Sequence, residues 1–430
     1  MSINLQDIQR IHFIGIGGIG MSGLARLFLH DGKTISGSDR SASAITEALE
    51  KEGVNFYPAQ VPDNITNDID MVVYTEAMTA EHPEMVAARA LNVPMVNYFE
   101  ALGLVANQYY VIAVAGTHGK TTTTAMLIDI FEAAGLDPTA IVGSLRAKTK
   151  SNYRAGKSKY FIVEACEYRR DFMYLEPDVL VITNIEAEHL DYYKDLADVQ
   201  SAFRELAEKV PESGVVIAET TNPTVAPILQ GLQNKVIDYR EALDLDLSLK
   251  APGLHNRLNA AAAAAAAAFV GIEADVIKAA LQDFAGTWRR FEYKGEFNGA
   301  PVYDDYAHHP TEIKATIAGT RELYPNKNLI VVFQPHLYSR TAELFDNFVA
   351  ALAAADRPVI THVYDARNTG KAGVTGETLT EAVREKNHEA VYIESFKDIV
   401  SMLTETVTNK DVVLILGAGD ITNVTTNLTR

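Results

Sequence analysis

At 430 residues the chain has room for about three domains of ~150 residues, each with its own buried core. Hydrophobic residues make up 47% and charged residues 22%, the balance of a globular protein rather than a disordered or collagen-like one. The net charge of −18 and the lack of any long Lys/Arg run argue against a nucleic-acid partner. The single cysteine, Cys166, excludes an internal disulfide and a cysteine-based zinc site. The N-terminal stretch lacks the pattern of a signal peptide, and no apolar run reaches the ~18 residues of a membrane span. A soluble, cytoplasmic, multidomain protein without membrane insertion is the expectation. Its oligomeric state cannot be read from the chain.

The elements follow one another in three cycles. Ile11–Ile16 is an apolar run ending in glycines, and Met21–Leu29 then reads as a helix. Further strand-like runs lie at Thr34–Ile35, Met71–Tyr74 and Val93–Val96. Strand, glycine turn, helix, strand is the pattern of an open parallel sheet. A second cycle begins at Tyr109–Ala115 and runs through a glycine-rich turn into a helix over Ala125–Ala134. Tyr160–Glu164, Val179–Thr183 and Val215–Ala218 follow, fully apolar or nearly so as buried parallel strands are. The nine alanines Ala260–Ala268 read as a closely packed helix. The third cycle holds Pro301–Tyr303, Leu329–Phe333, Val359–Thr361 and Val412–Leu416. The fold class is therefore α/β, three domains in series, with boundaries near Tyr98–Gly103 and Phe291–Gly295.

Two glycine turns carry chemistry. Gly15-Ile16-Gly17-Gly18-Ile19-Gly20 matches G-x-G-x-x-G between a strand and a helix, where backbone and helix N-terminus favour a pyrophosphate. Asp39 stands where such folds hold a ribose. By itself this motif fits NAD, another nucleotide diphosphate, or a turn needed only for packing. Gly116-Thr117-His118-Gly119-Lys120-Thr121 is a phosphate loop for ATP or GTP: its amides can cradle phosphates, Lys120 can reach the β/γ oxygens and the Thr121 hydroxyl can bind Mg²⁺. It departs from the standard spacing, with Val114 where the first glycine is usual.

Acids then cluster after strands. Glu164 ends one apolar run and is followed by Glu167, and Glu186, Glu188 and His189 follow another. Carboxylates and an imidazole beyond strand ends can ligate metals that bridge nucleotide phosphates, or can simply be solvated turn residues. Acidic neighbours should raise the pKa of Cys166, which argues against a nucleophilic role. His118, His189, His255, His308, His309 and His336 all lie in turns beside strands or at helix starts, which suggests polar clefts. None has the spacing of a zinc H-E-x-x-H site.

Taken together, GIGGIGMSGLA, GTHGKTTTT, EACEYRRDF, TNIEAEHLDYYKD, GLHNRLNAAAA, WRRFEYKG, DDYAHHPTEI, FQPHLYSRT and GAGDI occur in that order. In these segments, from about Ile11 to Ile421, the chain resembles the Mur ligases of peptidoglycan synthesis, and among them the branch that adds L-alanine to UDP-N-acetylmuramic acid. The resemblance implies a Rossmann-like UDP-sugar domain (1–100), a central P-loop ATPase domain (101–291) and a C-terminal Rossmann-like amino-acid domain (292–430). It turns the first glycine motif from NAD to the UDP-sugar, with Gly15, Gly17, Gly18, Ile19, Gly20, Asp39 and Thr75 as contacts. It implies ATP-dependent amide formation through an acyl phosphate, with ATP and two Mg²⁺ ions as cofactors. Gly116, Thr117, His118, Gly119, Lys120, Thr121 and Thr122 would bind ATP, with Lys120 on the phosphates. Thr121 and Glu164 would hold the first Mg²⁺ and His189 the second. His255, Asn256 and Asn259 would read the adenine.

By the same resemblance Arg290 and Asp305 would lie near the phosphates. Tyr306, His308, His336 and Arg340 would line the side where the substrate carboxylate meets the amino acid. Three departures from the family pattern stand out. Cys166 replaces an acid in the central motif. Asp195–Leu206 contains no lysine, so the carbamylated lysine of later-adding ligases has no counterpart. VVYTEAM replaces a serine-rich segment around Thr75. The competing readings are a peptide-adding recycling ligase, an NAD-dependent oxidoreductase and a non-catalytic nucleotide-binding partner.

Overall fold

Apolar runs that end in glycine turns become parallel strands, each feeding a helix. In the computed structural model, which describes residues 3–243, 247–366 and 373–429, the first cycle gives β1 (Arg10–Ile14), α1 (Ile19–His30), β2 (Thr34–Ser38), α2 (Ala44–Lys51), β3 (Asn55–Tyr57), β4 (Met71–Tyr74), α3 (Pro83–Ala90) and β5 (Met95–Asn97). The strands pair in the order β3-β2-β1-β4-β5, all parallel. The order reverses beside β1, so the glycine turn after β1 opens at a topological switch point, where such sheets bind ligands. Helix α4 (Tyr98–Ala106) leads onward, capped by the Asn97 side chain.

The second cycle gives β6 (Tyr110–Ala115), α5 (Lys120–Ala133), β7 (Thr139–Ile141), β8 (Tyr153–Arg154), β9 (Tyr160–Glu164), β10 (Val179–Ile182), α6 (Leu196–Glu208), β11 (Val215–Ala218), α7 (Ala226–Leu229) and β12 (Lys235–Asp238). They form one sheet, β12-β11-β10-β6-β9-β7-β8, with only β8 antiparallel to its neighbour. Helix α5 begins at Lys120, five residues before the expected start, because Thr121–Thr124 continue straight out of the turn. Helix α8 (Leu254–Phe269) carries the alanine run, buried at Ala260–Ala263 and Ala265–Ala267. Helix α9 (Ala274–Asp283) packs on α5.

The third cycle gives β13 (Glu292–Phe297), β14 (Ala300–Asp305), α10 (Pro310–Leu323), β15 (Asn328–Phe333), α11 (Tyr338–Glu343), α12 (Phe345–Leu352), β16 (Arg357–Ile360), α13 (Gly376–Lys386), β17 (Val391–Tyr392), α14 (Phe396–Thr406), β18 (Asp411–Leu416) and α15 (Thr422–Leu428). Its sheet runs β13-β14-β18-β15-β16-β17, parallel except for β13 against β14. Leu329, Val331 and Phe333 of β15 join one core cluster, and Ile330 and Val332 join another. Successive side chains thus bury on opposite faces, which is why the strand is apolar throughout.

The chain forms two compact units, Met1–Leu247 with Leu258–Ala285, and Ser248–Arg257 with Gly286–Arg430. The first unit contains two sheets over one continuous core, with Phe13 and Phe28 from one and Phe161, Phe172 and Phe203 from the other. Helix α4 adds Ala101, Leu102 and Val105 to that core. The strands absent from the expectation are β3, β7, β8, β12, β13 and β17. They are very short, or, like β13, partly exposed and mixed in polarity, so the hydrophobic pattern does not mark them. Among the described residues, no helix is long and apolar enough to cross a membrane.

Candidate active site

The first glycine turn is held from below. The Ser38 carbonyl, at the end of β2, accepts the Gly15 and Ile16 N–H groups at 2.8 and 3.0 Å. The Ser38 hydroxyl in turn donates to buried Glu84 at 2.6 Å. Asp39, expected toward the uridine, places Oδ2 2.8 Å from the Gly17 N–H, so one carboxylate oxygen fixes the turn itself. The Thr75 methyl fills the space beside Gly15, and the Tyr98 ring fills that beside Gly20. A Cβ at Gly20 would meet that ring at 2.8 Å, so any side chain there must displace Tyr98.

The second turn is clamped by the residues after β10. The Thr183 hydroxyl donates to the His118 carbonyl at 2.6 Å, and Asn184 Oδ1 accepts the His118 N–H at 2.9 Å. Gly119 has φ +84°, and a side chain there would collide with Asn259, so Asn259 lies against the loop. The Lys120 ammonium donates to the carbonyls of Gly116 (2.5 Å) and Thr117 (3.1 Å) and lies 2.9 Å from Glu167. Burial works most strongly against its charge, but the Glu167 carboxylate, its hydrogen bond and the other acidic neighbours together outweigh burial and hold the pKa above the ordinary lysine range. Glu167 is buried too, yet Lys120 and His189 pull its pKa down to about 2. Thr122 lies on the first turn of α5.

Glu164 ends β9 beside this loop. Its carboxylate accepts the Thr121 hydroxyl at 3.2 Å and the Gly143 N–H at 2.7 Å. His189, with φ +58°, does not join that pair. Its Nε2 lies 3.4 Å from Glu167, and Glu167, Glu188 and His189 bring ligand atoms within 4.8 Å of one another. The expected metal ligands therefore fall into two places: the Thr121–Glu164 hydroxyl–carboxylate pair, and His189, which Glu167 and Glu188 join. Burial, reinforced by Glu167, pushes the Cys166 thiol up to about 12, which agrees with its not being a nucleophile.

A cavity of about 340 Å³ runs from the first turn to Glu164, the partner of Thr121. It is lined by Gly18–Met21, Thr75, Glu76, Tyr98 and Phe99 from the first sheet's side and by Ile141–Gly143, Val163, Glu164 and Cys166 from the second's. Tyr98 reaches into it between Gly20 and Glu164, and burial together with the Glu164 charge keeps its phenol protonated. Local spacing in the chain gave no sign of this arrangement, nor of Glu76 and Tyr98.

The second unit gathers its expected residues at the carboxyl ends of β14 and β15. The Arg340 guanidinium is 3.1 Å from His336 Nδ1, and His308 stacks edge-on to both Tyr306 and His336, with centroids 5.4 and 5.6 Å apart. Arg290 lies over the Tyr306 ring, 5.2 Å from its centroid. Asp305, expected near the phosphates, accepts the Phe291 and Ala307 N–H groups at 3.0 and 2.8 Å and the Thr316 hydroxyl. Burial raises its pKa to about 6. It acts on the site by holding the turns that present Arg290 and Tyr306. Buried Arg289 does similar work, pairing with Asp304 and donating to the Gly417 and Gly419 carbonyls. His255 and Asn256 group with this unit, apart from Asn259. His255 is half-buried against Gly253, and desolvation pushes its pKa down to about 4, while Asn256 donates to the Pro252 carbonyl at 2.8 Å.

Three stretches match family descriptions: residues 10–110 a Mur ligase family catalytic domain, 114–242 a Mur ligase middle domain, and 289–419 a Mur ligase glutamate ligase domain. The chain belongs to the Mur ligase family. It is 41% identical to the UDP-N-acetylmuramate–L-alanine ligase of Agathobacter rectalis, over 98% of this chain and 97% of that one. It is also 41% identical to the enzyme of that name from Lachnospira eligens, over 100% and 99%. A solved UDP-N-acetylmuramate–alanine ligase from Thermotoga maritima superposes with a TM-score of 0.81 at 29% identity, covering 97% of this chain and 98% of its own. A murein peptide ligase from Psychrobacter arcticus gives 0.71 at 25%, with 98% of each covered. This Mur ligase thus has the three-domain α/β architecture of its relatives. The membership replaces the NAD reading of the first glycine turn with a Mur ligase one.

Proposed function

We propose that the protein is an ATP-dependent ligase joining L-alanine to the lactoyl carboxylate of UDP-N-acetylmuramic acid, the activity its similar relatives are named for. The observation that carries this reading is the cavity running from the first glycine turn to Glu164. A substrate with a diphosphate at one end and a carboxylate at the other needs such a passage between a pyrophosphate turn and a phosphoryl-transfer site. An NAD-dependent oxidoreductase would have no use for Lys120, Thr121 and Glu164 beside it.

The residues present fit ATP and Mg²⁺. The Gly119–Asn259 contact leaves no room for a side chain in the loop, and the first amides of α5 have no intrahelical acceptor. Thr121 and Glu164 form a hard-oxygen pair suited to one Mg²⁺, and Glu167, Glu188 and His189 form a second set. When bound, the ions would neutralise the phosphate charge that the carboxylate must approach. Lys120, held in line by two loop carbonyls and Glu167, would fix the β/γ-phosphates. The lactoyl carboxylate takes the γ-phosphoryl group, the amine of L-alanine attacks the acyl carbon, and phosphate leaves. The protein's part is alignment and charge stabilisation. Arg340, braced by His336, suits an oxyanion or carboxylate fork. We assign residues 1–100, 101–291 and 292–430 to the UDP-sugar, ATP and amino-acid domains.

Phosphate release from ATP and Mg²⁺ tests the reading. It should require both UDP-N-acetylmuramic acid and L-alanine. Release with a peptide but not with L-alanine would move the enzyme to the recycling branch.

A further inference from the structure

The cavity has the wrong charge for its proposed occupant. Its lining includes two carboxylates, Glu76 and Glu164, and no lysine, arginine or histidine. An anionic substrate would meet repulsion from both sides. Thr121 and a magnesium ion account for Glu164 on the reading above, on which this inference rests. Glu76 has no such partner in the proposed chemistry.

A cation stands at Glu76. Arg169 places its guanidinium 3.2 Å from the Glu76 carboxylate, joining the loop after β9 to the loop after β4. Its side chain is 49% exposed, so it retains freedom to turn. The backbone here is unusual: Arg169 and Arg170 both sit in the left-handed region, at φ +52° and +62°. Consecutive non-glycine residues in that region are costly and persist only where their surroundings impose them. Here the Arg170 N–H is held by the Glu167 carbonyl at 3.0 Å and the Phe172 N–H by the Cys166 carbonyl at 2.9 Å. The consequence is that two neighbouring arginines diverge. Arg170 goes to Glu205 on α6, at 2.6 Å, while Arg169 is turned to the carboxylate on the cavity wall.

We propose that Arg169 is a substrate-binding residue: it exchanges Glu76 for an anionic oxygen of the UDP-sugar, and Glu76 holds it in place while the cavity is empty. Arginine suits this exchange because its planar donors meet phosphate and carboxylate oxygens equally well.

The test is steady-state kinetics on Arg169→Ala, Arg169→Lys, Glu76→Gln and the Arg169→Ala/Glu76→Gln double variant, with direct binding of UDP-N-acetylmuramic acid by calorimetry. Arg169→Ala should raise KM and Kd for the UDP-sugar about 10- to 100-fold with KM for ATP unchanged, as loss of a charge-assisted contact does. Arg169→Lys should recover part of this. Glu76→Gln should move the other way, tightening the UDP-sugar a few-fold, and that gain should vanish in the double variant. UDP as inhibitor separates the two sources of the anion. Weaker inhibition of Arg169→Ala identifies the diphosphate, and unchanged inhibition identifies the lactoyl carboxylate. If Arg169 and Glu76 only braced the two loops, both single variants would weaken binding together, and that result, or an unchanged Kd in Arg169→Ala, overturns the proposal. Wild-type protein that binds the UDP-sugar but turns over no L-alanine would instead overturn the functional reading and leave the Arg169 test standing.

Discussion

The two glycine turns of the first unit have the same plan, strand into turn into helix, and opposite chemistry. At Gly15–Gly20 the neighbours are neutral or acidic: Asp39 on the Gly17 amide, the Thr75 methyl, and the Tyr98 ring on Gly20. At Gly116–Thr121 they are an ammonium, a buried carboxylate and a hydroxyl–carboxylate pair. On the proposed function, the first turn would hold a group in place and the second would stabilise charge that moves. A turn motif therefore specifies where a phosphate can lie, and the side chains delivered to it from other strands specify what happens there.

That contrast can be broken in order of expected effect. Lys120→Met removes the moving-charge side and should cut turnover by ~10³-fold or more while UDP-sugar binding stays near wild type. Calorimetry showing lost UDP-sugar affinity would mean the two turns are not separate in function. Glu167→Gln leaves the Lys120 ammonium short of its buried partner, and a loss of about 3 kcal/mol is expected at pH 7. The sign of its pH dependence follows from a folded pKa lowered to about 2: the Glu167 contribution is complete above the unfolded value of 4.5 and is lost as pH falls toward 2. Urea titrations of the variant and the wild type should therefore converge in acid, and a gap that stays constant with pH would contradict this.

Smaller effects belong to the first turn. Gly20→Ala drives a methyl into the Tyr98 ring and should raise KM for the UDP-sugar about tenfold, with ATP kinetics intact. A change confined to ATP would reverse the roles given to the two turns. Asp39→Asn keeps an oxygen for the Gly17 amide, so less than about a threefold change in KM is expected. A much larger loss would return Asp39 to direct contact with the nucleoside.

Three α/β cycles, the glycine loop with Lys120 and Thr121, the placing of Glu164 at a strand end and the kinship with the Mur ligases are legible in the linear chain. Each of these rests on residues within a few positions of one another, or on segments in fixed order. Burial alternation and turn geometry are local properties, and a linear pattern reports them directly. Folding in three dimensions is what places the first glycine turn and Glu164 on one cavity, sets Glu167 against Lys120, and turns Asp305 to backbone amides. It also decided that Arg169 meets Glu76, 93 residues away, and that Arg289 caps a carbonyl 128 residues away. Such pairs are set by the order in which strands join their sheets. That order follows from packing whole helices and strands over a common core, and no residue spacing along the chain encodes it.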